Sequence, residues 1–467
     1  MTADLRALVD RCLLLGMDGL RPSPFLRDWL AEGLGGVILF RHNIQSPEQL
    51  RALTAELHAA GSDVIVAADE EGGDVTRLHH LDGSPNPGNL ALGHLDDVAV
   101  TREVAAGIGR ELAAAGIDLD LAPVADVNTN PDNPIIGTRS FGADPELVAR
   151  HVVAYVEGLR DAGVPGCAKH FPGHGDTDQD SHLTLPTITG DLEPHLVPFR
   201  AAVAAGIPAI LSAHIVFPAL DSRPATLSKR ILTGLLREEM GFEGVIVTDS
   251  LTMDAIADGV GVAEGAVQAL AAGADLLCIN SDDETHRAVR EHIVRAVTRG
   301  ALPEERLVEA AARVGGLARS TARTGQSWSD AALGAKLLYV DVDQDLPLRT
   351  APYVVEVSPP RRGIELTAGS LLATMQRHDP TIDGVRLYEG NAPADPPDDR
   401  PLVVVVRDAH RDPAQRSVIA STLARRPDAV VVGIGTPYDA SLARGRYIGT
   451  HGGARPNLAA AAELLLG

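Results

Sequence analysis

Residues 169–182 read Lys-His-Phe-Pro-Gly-His-Gly-Asp-Thr-Asp-Gln-Asp-Ser-His and combine four basic side chains with three acidic ones. They follow the short apolar run 164–168, so the segment begins where a strand is expected to end. Packing does not require three histidines and three aspartates on a glycine-rich loop, whereas proton transfer and ligand capture do. A polar surface loop that satisfies its own hydrogen bonds is the alternative, but so dense a cluster of titratable groups favours a functional site.

Other titratable side chains follow short runs that are rich in β-branched residues. They are Asp69 after 64–68, Asp126 after 117–122, His214 after 209–212 and Asp249 after 245–248. A single aspartate in such a place is often only a helix N-cap. Together with Lys169 and His170, however, five expected strand ends carry polar groups, and the carboxyl ends of parallel barrel strands converge on one face. We therefore expect these residues to share one site.

The strand-like runs alternate with longer amphipathic stretches such as 47–60, 98–115, 145–162 and 228–240. Strands that alternate with helices indicate parallel βαβ units. Seven or eight such units within about 320 residues predict an α/β fold with a (β/α)₈ TIM-like barrel, rather than a doubly wound sheet. No glycine-rich dinucleotide fingerprint follows the first run, which weakens the nucleotide-binding alternative.

The chain has 467 residues, which is enough for more than one domain. The predicted domains are a catalytic barrel over residues 1–323, a linker over 324–335 and a second, smaller C-terminal α/β domain over 336–467. The second domain is predicted from three strand-like runs and one helical stretch, at 352–357, 402–406, 429–434 and 412–425.

The formal net charge of −22 argues against nucleic acid or an anionic membrane as a partner, because either would require a basic face. A solvated acidic surface is the simpler interpretation of the charge itself. No uncharged apolar run is long enough to span a bilayer. Nothing in the sequence specifies the oligomeric state.

Three widely separated cysteines, Cys12, Cys167 and Cys278, argue against a disulfide framework and indicate a reducing compartment. No cysteine pair has the spacing of a zinc site. Residues 1–20 place charges among leucines, which predicts an amphipathic helix and does not fit a signal peptide. The expected location is therefore the cytoplasm.

Several longer motifs occur in a fixed order along the chain. They are Gly-Gly-Val-Ile-Leu-Phe (35–40), Asp-Glu-Glu-Gly-Gly-Asp-Val-Thr-Arg (69–77), Leu-Ala-Pro-Val-Ala-Asp-Val (121–127), Gly-Thr-Arg-Ser-Phe-Gly (137–142), Lys-His-Phe-Pro-Gly-His-Gly (169–175), Asp-Ser-His (180–182), Pro-Ala-Thr-Leu-Ser (224–228) and Val-Thr-Asp-Ser-Leu-Thr-Met (247–253). In this combination the chain resembles glycoside hydrolase family 3, and within it the β-N-acetylglucosaminidases. The C-terminal part looks like the extra α/β domain that some members carry.

The resemblance implies a retaining mechanism through a covalent glycosyl-enzyme intermediate, with Asp249 as the nucleophile. It also implies that His182, paired with Asp180, takes the place of the usual carboxylic acid/base. Imidazole has an ordinary pKa of about 6.5, so it can give and take a proton near neutrality. Two positions apart on an extended loop, Asp180 and His182 can face the same way, and the aspartate can then fix the histidine tautomer.

Substrate binding is implied for residues that match sugar-binding positions of the family, namely Asp69, Arg77, Arg139, Lys169 and His170. Charged groups form stronger and more directional hydrogen bonds to sugar hydroxyls than neutral groups do. For the two arginines, a structural salt bridge at the barrel rim is the alternative. His214 is also assigned to the substrate, with shaping of the pocket as the equal alternative. His174 and Asp126 are expected to have structural roles.

Glu70 and Asp74 depart from the pattern that the resemblance implies, which usually has glutamine and arginine at these positions. The two extra negative charges either alter what binds beyond the N-acetylglucosamine ring or pair with nearby arginines. They do not touch the proposed nucleophile or acid. No metal or organic cofactor is expected, because the histidine and aspartate spacing has a complete acid/base explanation.

Three functions are therefore compared. The first is a retaining, exo-acting β-N-acetylglucosaminidase that removes terminal β-linked N-acetylglucosamine from small glycosides such as cell-wall or chitin fragments. The second is a β-N-acetylglucosaminide phosphorylase that uses the same site, because a neutral histidine repels incoming phosphate less than a carboxylate would. The third is a non-catalytic sugar-binding barrel, against which the intact catalytic residues argue.

Overall fold

The computed structural model describes residues 3–180, 184–318, 334–342, 346–357, 366–367, 369–387, 396–443 and 445–467. The chain divides into two compact units. Unit 1 comprises Met1–Glu70, Val98–Ile136 and Ala143–Trp328. Unit 2 comprises Glu71–Asp97, Gly137–Gly142 and Ser329–Gly467. Most of the predicted linker 324–335 lies outside the described residues, so the predicted domain boundaries stay a prediction.

The strands of the described chain are β1 (Leu13–Leu15), β2 (Gly36–Leu39), β3 (Ile65–Ala68), β4 (Leu119–Asp120), β5 (Cys167–Phe171), β6 (Ala209–Ser212), β7 (Val216–Phe217), β8 (Asp221–Pro224), β9 (Val245–Thr248), β10 (Leu277–Ile279), β11 (Tyr339–Val342), β12 (Tyr353–Val357), β13 (Asp383–Leu387), β14 (Leu402–Val406), β15 (Val430–Gly433) and β16 (Arg446–Gly449). The first ten belong to unit 1 and the rest to unit 2. Strands β7 and β8 form a short antiparallel hairpin.

The α-helices of the described chain are α1 (Ala3–Arg11), α2 (Pro24–Ala31), α3 (Pro47–Ala60), α4 (Asn89–Leu95), α5 (Val98–Ala115), α6 (Pro145–Asp161), α7 (Glu193–Ala204), α8 (Asp254–Ala257), α9 (Val262–Ala272), α10 (Asp283–Thr298), α11 (Glu304–Ala318), α12 (Leu371–His378), α13 (Pro413–Arg425) and α14 (Arg455–Leu466). A further stretch, Arg230–Glu239, is π-helical. Among these helices, none is long and apolar enough to cross a bilayer.

Unit 1 is a barrel of parallel strands. Strands β10-β1-β2-β3-β4 form one sheet and β5-β6-β9 form another. Single parallel bridges, Asp120 to Gly166 and Val247 to Leu276, join the two sheets at both edges. The eight strands that the described chain contributes therefore close into a ring, which confirms the predicted (β/α)₈ barrel.

Several helices begin with the same local signal, a serine or aspartate followed by proline. These pairs are Ser23-Pro24, Ser46-Pro47, Asp144-Pro145 and Asp412-Pro413. The first side chain accepts hydrogen bonds from main-chain N–H groups of the first turn, and the proline fits the first helical position because its missing N–H is not needed there. This local chemistry explains why the predicted helix starts at Pro47, Pro145 and within one residue of Pro413 agree closely with the structure.

The amphipathic helix predicted over residues 1–20 is wrong in its second half. The helix ends at Arg11, and Leu13–Leu15 is strand β1, which pairs with β10 and β2. All three leucines are fully buried. A central barrel strand is covered on both sides, so it shows a continuous apolar run instead of an alternating one, and such a run extends a helical pattern by chance.

The barrel interior is filled by aliphatic side chains and two cysteines from all eight strands. The inward set includes Leu14, Ile38, Ile65, Ala67, Leu119, Cys167, Ala209, Leu211, Val245, Val247, Leu276 and Cys278. Val314 and Leu317 of α11 pack against this cluster. The interior is thus a packed core, so polar chemistry is confined to the strand ends.

Unit 2 contains the C-terminal α/β sheet, in the order β11-β16-β15-β14-β12-β13. Strands β12 to β16 are parallel, and β11 joins the edge antiparallel to β16. Val403 and Val405 pack on one face with α12 and α14, whereas Val404 and Val406 pack on the other with α13. Both faces are covered by helices, as the predicted second α/β domain requires.

A buried carboxylate ties the last helix of unit 1 to the barrel. Asp275, in the turn before β10, is fully buried and accepts hydrogen bonds from Arg237, from Arg306 at 2.5 Å and from Arg313 at 3.2 Å. The main-chain N–H of Ile246 donates to the same side chain at 2.9 Å. One aspartate thus joins the π-helical stretch, strand β9 and α11.

We expect Asp275→Ala to destabilise the protein by about 3–5 kcal/mol, because removing the buried carboxylate leaves three partly buried arginines without their counter-charge. Urea denaturation followed by circular dichroism measures this effect. The matched control is Asp161→Ala, which breaks an exposed pair with Arg102 and is expected to cost less than about 1 kcal/mol. Equal losses for the two variants would contradict the assignment of Asp275 as a buried anchor.

Candidate active site

The structure places five predicted site residues at the carboxyl ends of parallel barrel strands in unit 1. Asp69 follows β3, Lys169 and His170 lie in the second half of β5, His214 follows β6 and Asp249 follows β9. Because all these strands run in the same direction, their ends share one face of the barrel.

Lys169 and Asp69 form a short ion pair between the ends of β5 and β3, which flank β4. The Lys169 ammonium donates to Asp69 Oδ1 at 2.6 Å. The Lys169 side chain is 2% exposed, whereas that of Asp69 is 16% exposed. The Lys169 side chain is therefore buried. Asp69 is the member of the pair that is partly exposed to solvent. Such a carboxylate can accept hydrogen bonds from sugar hydroxyls.

Asp126 organises the beginning of the histidine loop. Its Oδ2 contacts His170 Nδ1 at 2.7 Å, and its Oδ1 accepts from the main-chain N–H groups of His170 at 3.2 Å and His174 at 2.7 Å. Burial alone would raise the pKa of Asp126, but the neighbouring His170 and His174 lower it to about 2. The carboxylate is therefore ionised at neutral pH, and it holds the proton of His170 on Nδ1.

The loop after β5 approaches the segment after β4 too closely for a side chain at one position. A Cβ at Gly175 would lie 1.7 Å from the carbonyl oxygen of Val127. In addition, Asn133 donates to the carbonyl of His174 at 2.8 Å. Gly175 is thus required for close backbone contact, which explains the second glycine of this motif.

Asp249 is held by main-chain contacts at the end of β9. Its N–H donates to the carbonyl of Ser212 in β6 at 3.1 Å, and its Oδ1 accepts from the N–H of Ser250 at 2.8 Å. The residue is partly exposed. A carboxylate that is oriented by its own turn and still reaches solvent has the properties that a glycosidase nucleophile needs.

His214 bonds to protein atoms through both ring nitrogens. Nδ1 lies 2.9 Å from the Thr226 hydroxyl, and Nε2 lies 2.9 Å from the carbonyl of Ser250. The ring is 1% exposed. These contacts support the pocket-shaping alternative for His214, since it links the turn after β6 to the residue that follows Asp249. Its direct role in substrate binding stays a prediction.

Cys278 of β10 lies close to both Asp249 and Asp69. Burial raises the pKa of the Cys278 thiol, and the charges of Asp249 and Asp69 raise it further. The thiol is therefore protonated at neutral pH and is a poor nucleophile. The two aspartates therefore lie near one another in unit 1, and the role of Asp249 as nucleophile stays a prediction.

Two buried acids behind the site were not singled out as a pair from the sequence. Asp120, the last residue of β4, accepts from the N–H of Glu70 at 3.1 Å, and both residues are fully buried. Burial and the nearby charge of Glu70 raise the pKa of Asp120 well above its ordinary value. The sequence signal that could have identified Asp120 was the presence of an aspartate inside the apolar strand-like run 117–122. Glu70 therefore lies in the interior and not on the surface of the site.

Arg139 and Arg77 belong to unit 2. Arg139 is 7% exposed and makes two parallel hydrogen bonds with Glu71, from Nε at 2.9 Å and from Nη2 at 2.7 Å. Arg77 is 6% exposed and lies on the turn that follows Glu71. The salt-bridge alternative thus describes one contact of Arg139, and the sugar-binding roles of both arginines stay predictions.

The proposed acid/base loop is only partly described. The carbonyl of Asp180 accepts a hydrogen bond from the N–H of Thr184 at 3.0 Å. His182 lies outside the described residues. The pairing of Asp180 with His182 therefore stays a prediction.

We expect Asp126→Asn to lower stability in a pH-dependent manner. The pKa of Asp126 in the folded protein, about 2, is below the ordinary value of 3.8. The stabilisation from its ionised form, about 2 kcal/mol, is complete above the unfolded value and is lost as pH falls through the folded value. Urea denaturation should therefore show a large difference in the free energy of unfolding between the wild type and the variant at pH 7, and a smaller difference at pH 3. A difference that is independent of pH, or the same behaviour in the exposed control Asp178→Asn, would contradict this.

Comparison with known proteins shows the same architecture in characterised families. The solved structure of a glycoside hydrolase family 3 beta-N-acetylglucosaminidase from Paenibacillus sp. str. FPU-7 superposes with a TM-score of 0.87 and 33% sequence identity. The superposition covers 100% of this chain and 97% of that chain. The similarity therefore extends over both units.

Similar sequences are also found among named bacterial enzymes. A beta-hexosaminidase A from Pseudoalteromonas piscicida is 31% identical over 435 residues, which cover 82% of this chain and 72% of the relative. A beta-hexosaminidase from Neisseria meningitidis serogroup B is 41% identical over 275 residues, which cover 56% of this chain and 75% of the relative.

The family match covers the barrel. Residues 14–317, more than half of the chain, match the Glycosyl hydrolase family 3 N terminal domain. This stretch contains two of the three residues of β1, all of β2 to β10 and all the strand-end residues described above. The chain belongs to glycosyl hydrolase family 3.

Proposed function

We propose that this protein is a retaining, exo-acting β-N-acetylglucosaminidase that removes terminal β-linked N-acetylglucosamine from small glycosides. The observation that carries the proposal is the position of Asp249 at a barrel strand end close to Asp69. The Asp249 carboxylate is partly exposed and is oriented by a hydrogen bond from the N–H of Ser250. The similarity to enzymes named beta-hexosaminidase and beta-N-acetylglucosaminidase supports the choice of sugar.

In the first step an oxygen of Asp249 attacks the anomeric carbon and forms a covalent bond to it. The bond from that carbon to the leaving oxygen breaks, and the leaving oxygen takes a proton from the His182 imidazolium. In the second step water gives a proton back to His182 and displaces Asp249 from the anomeric carbon. Two inversions at one centre retain the β configuration.

The other residues hold the sugar during both steps. Asp69 offers carboxylate oxygens, and Lys169 orients Asp69 through its 2.6 Å contact. His170 is oriented by the 2.7 Å contact of its Nδ1 with the ionised Asp126. Asp180 is assigned to orient His182.

Cell-wall or chitin fragments are the proposed source of the glycosides, and the cytoplasm is the proposed location. Cys12, Cys167 and Cys278 are free and buried, which supports a reducing compartment.

The purified protein is expected to release nitrophenol from its β-N-acetylglucosaminide at about pH 7, close to the pKa of imidazole. Free N-acetylglucosamine should appear at the same rate with and without phosphate. The control is the matching β-glucoside, which is expected to react much more slowly. Release of the sugar 1-phosphate only when phosphate is present would replace hydrolysis by phosphorolysis. Binding of N-acetylglucosamine without any turnover would leave a sugar-binding barrel.

We expect Asp249→Asn to reduce kcat by at least about 10³-fold, because the amide keeps the shape of the side chain but cannot form the glycosyl intermediate. Steady-state kinetics with the nitrophenyl glycoside measure the loss. The control Asp254→Asn alters an exposed aspartate five positions along the chain and should keep nearly full activity. Substantial turnover by Asp249→Asn would remove Asp249 from its assigned role.

A further inference from the structure

Asp74 joins three segments of unit 2. Its Oδ2 accepts from the Thr138 hydroxyl at 2.8 Å and from Arg407 Nη2 at 2.5 Å. Its Oδ1 accepts from the N–H of Gly453 at 2.8 Å and from Arg407 Nη1 at 3.3 Å. The side chains of Asp74 and Arg407 are only 2% and 3% exposed. A carboxylate is tolerated in such surroundings only when protein donors replace water, so the place of Asp74 depends on Arg407.

Arg407 is itself held firmly at the end of β14. Its main-chain N–H donates to Gln415 Oε1 at 2.9 Å, and its carbonyl accepts from Gln415 Nε2 at 2.9 Å. Gln415 is 1% exposed and lies in α13. Burial opposes ionisation of Arg407, but the charge of Asp74 raises its pKa above the ordinary value. The C-terminal sheet thus presents a fixed cation to Asp74.

The anchored aspartate lies in the middle of the segment that carries the predicted sugar-binding arginines. Glu71, which holds Arg139, precedes Asp74 by three positions, and Arg77 follows it by three. The N–H of Glu71 donates to the carbonyl of Val75 at 3.0 Å, which closes the turn around Asp74. Thr138, the other partner of Asp74, directly precedes Arg139. Movement of Asp74 would therefore displace both arginines.

We infer that Arg407 is a positioning residue for sugar binding, which fixes Arg77 and Arg139 by anchoring Asp74. The inference rests on the proposed function and gives the C-terminal part of the chain a task in it. It also accounts for the aspartate at position 74, where the resemblance leads one to expect arginine. The positive charge of the arginine expected at position 74 is supplied instead by Arg407 at the end of a strand of the C-terminal sheet.

The test replaces Arg407 with methionine, which keeps the length and apolar stem of the side chain. We expect KM for the nitrophenyl N-acetylglucosaminide to rise about tenfold or more, the scale of a lost charged hydrogen bond, while kcat falls less. Amide hydrogen exchange should accelerate in peptides that cover 71–80 and 137–142. Arg407→Lys keeps the charge but cannot donate two parallel hydrogen bonds. Its KM and its exchange rates should therefore lie between those of the wild type and those of Arg407→Met.

The matched control is Arg426→Met, the same substitution elsewhere in unit 2. Arg426 bonds to Asp428 and to the carbonyls of Pro397 and Arg400. The Arg426→Met variant should have a lower melting temperature, with unchanged KM and unchanged amide hydrogen exchange in residues 71–80. A folded Arg407→Met protein with normal KM and normal exchange in this peptide would overturn the inference.

Asp74→Asn gives a second route if Arg407→Met does not fold, because it removes the charge and keeps the shape. It should raise KM and accelerate exchange in the same peptides, and unchanged values would also overturn the inference. The exchange measurement needs no substrate. If the wild-type protein does not act on N-acetylglucosaminides, the proposed function fails, whereas unchanged exchange in the Arg407 and Asp74 variants shows that Arg407 anchors nothing.

Discussion

A carboxylate that leaves water must find donors within the chain, and this constraint determines how distant segments of the protein are joined. Asp126 collects His170 and the N–H groups of the histidine loop, Asp275 collects arginines beneath the barrel, and Asp74 collects Arg407 and Thr138. Each of these acids is almost completely buried. Each also links elements that are remote in sequence, so the negative charge that gives the chain its acidic balance is partly internal and structural.

The same constraint separates two kinds of acidic residue at the barrel face. Asp126 and Asp120 are enclosed and cannot take part in bond formation at the sugar, whereas Asp69 and Asp249 are partly exposed at their strand ends. Burial thus separates enclosed aspartates, which hold loops and strands in place, from partly exposed aspartates, for which roles at the sugar are proposed. Lys169 and His170 of β5 connect the two sets, because Lys169 contacts Asp69 and His170 contacts Asp126.

Much of the fold could be predicted from the sequence, because its signals are local. Helices α3 and α5 begin and end where periodicity places them, and the strand ends follow from short β-branched runs. Strand β1 was missed because three buried leucines have no alternation. The pairing of Asp74 with Arg407 joins positions 333 residues apart and leaves no local pattern. The same is true of the contact between Arg139 and Glu71, which only the folded chain brings together.

The position of Asp74 has a consequence for the modularity of this protein. All the barrel strands lie before Ser329 and the whole C-terminal sheet lies after it, so the chain looks divisible by a single cut. Unit 2 nevertheless includes Glu71–Asp97 and Gly137–Gly142. Asp74 lies in the N-terminal piece, but the cation that neutralises it, Arg407, lies in the C-terminal piece. A protein expressed without the C-terminal sheet would therefore keep Asp74 and Thr138 but lose Arg407 and the N–H of Gly453. Any minimal barrel engineered from this chain would need a new cation near position 74.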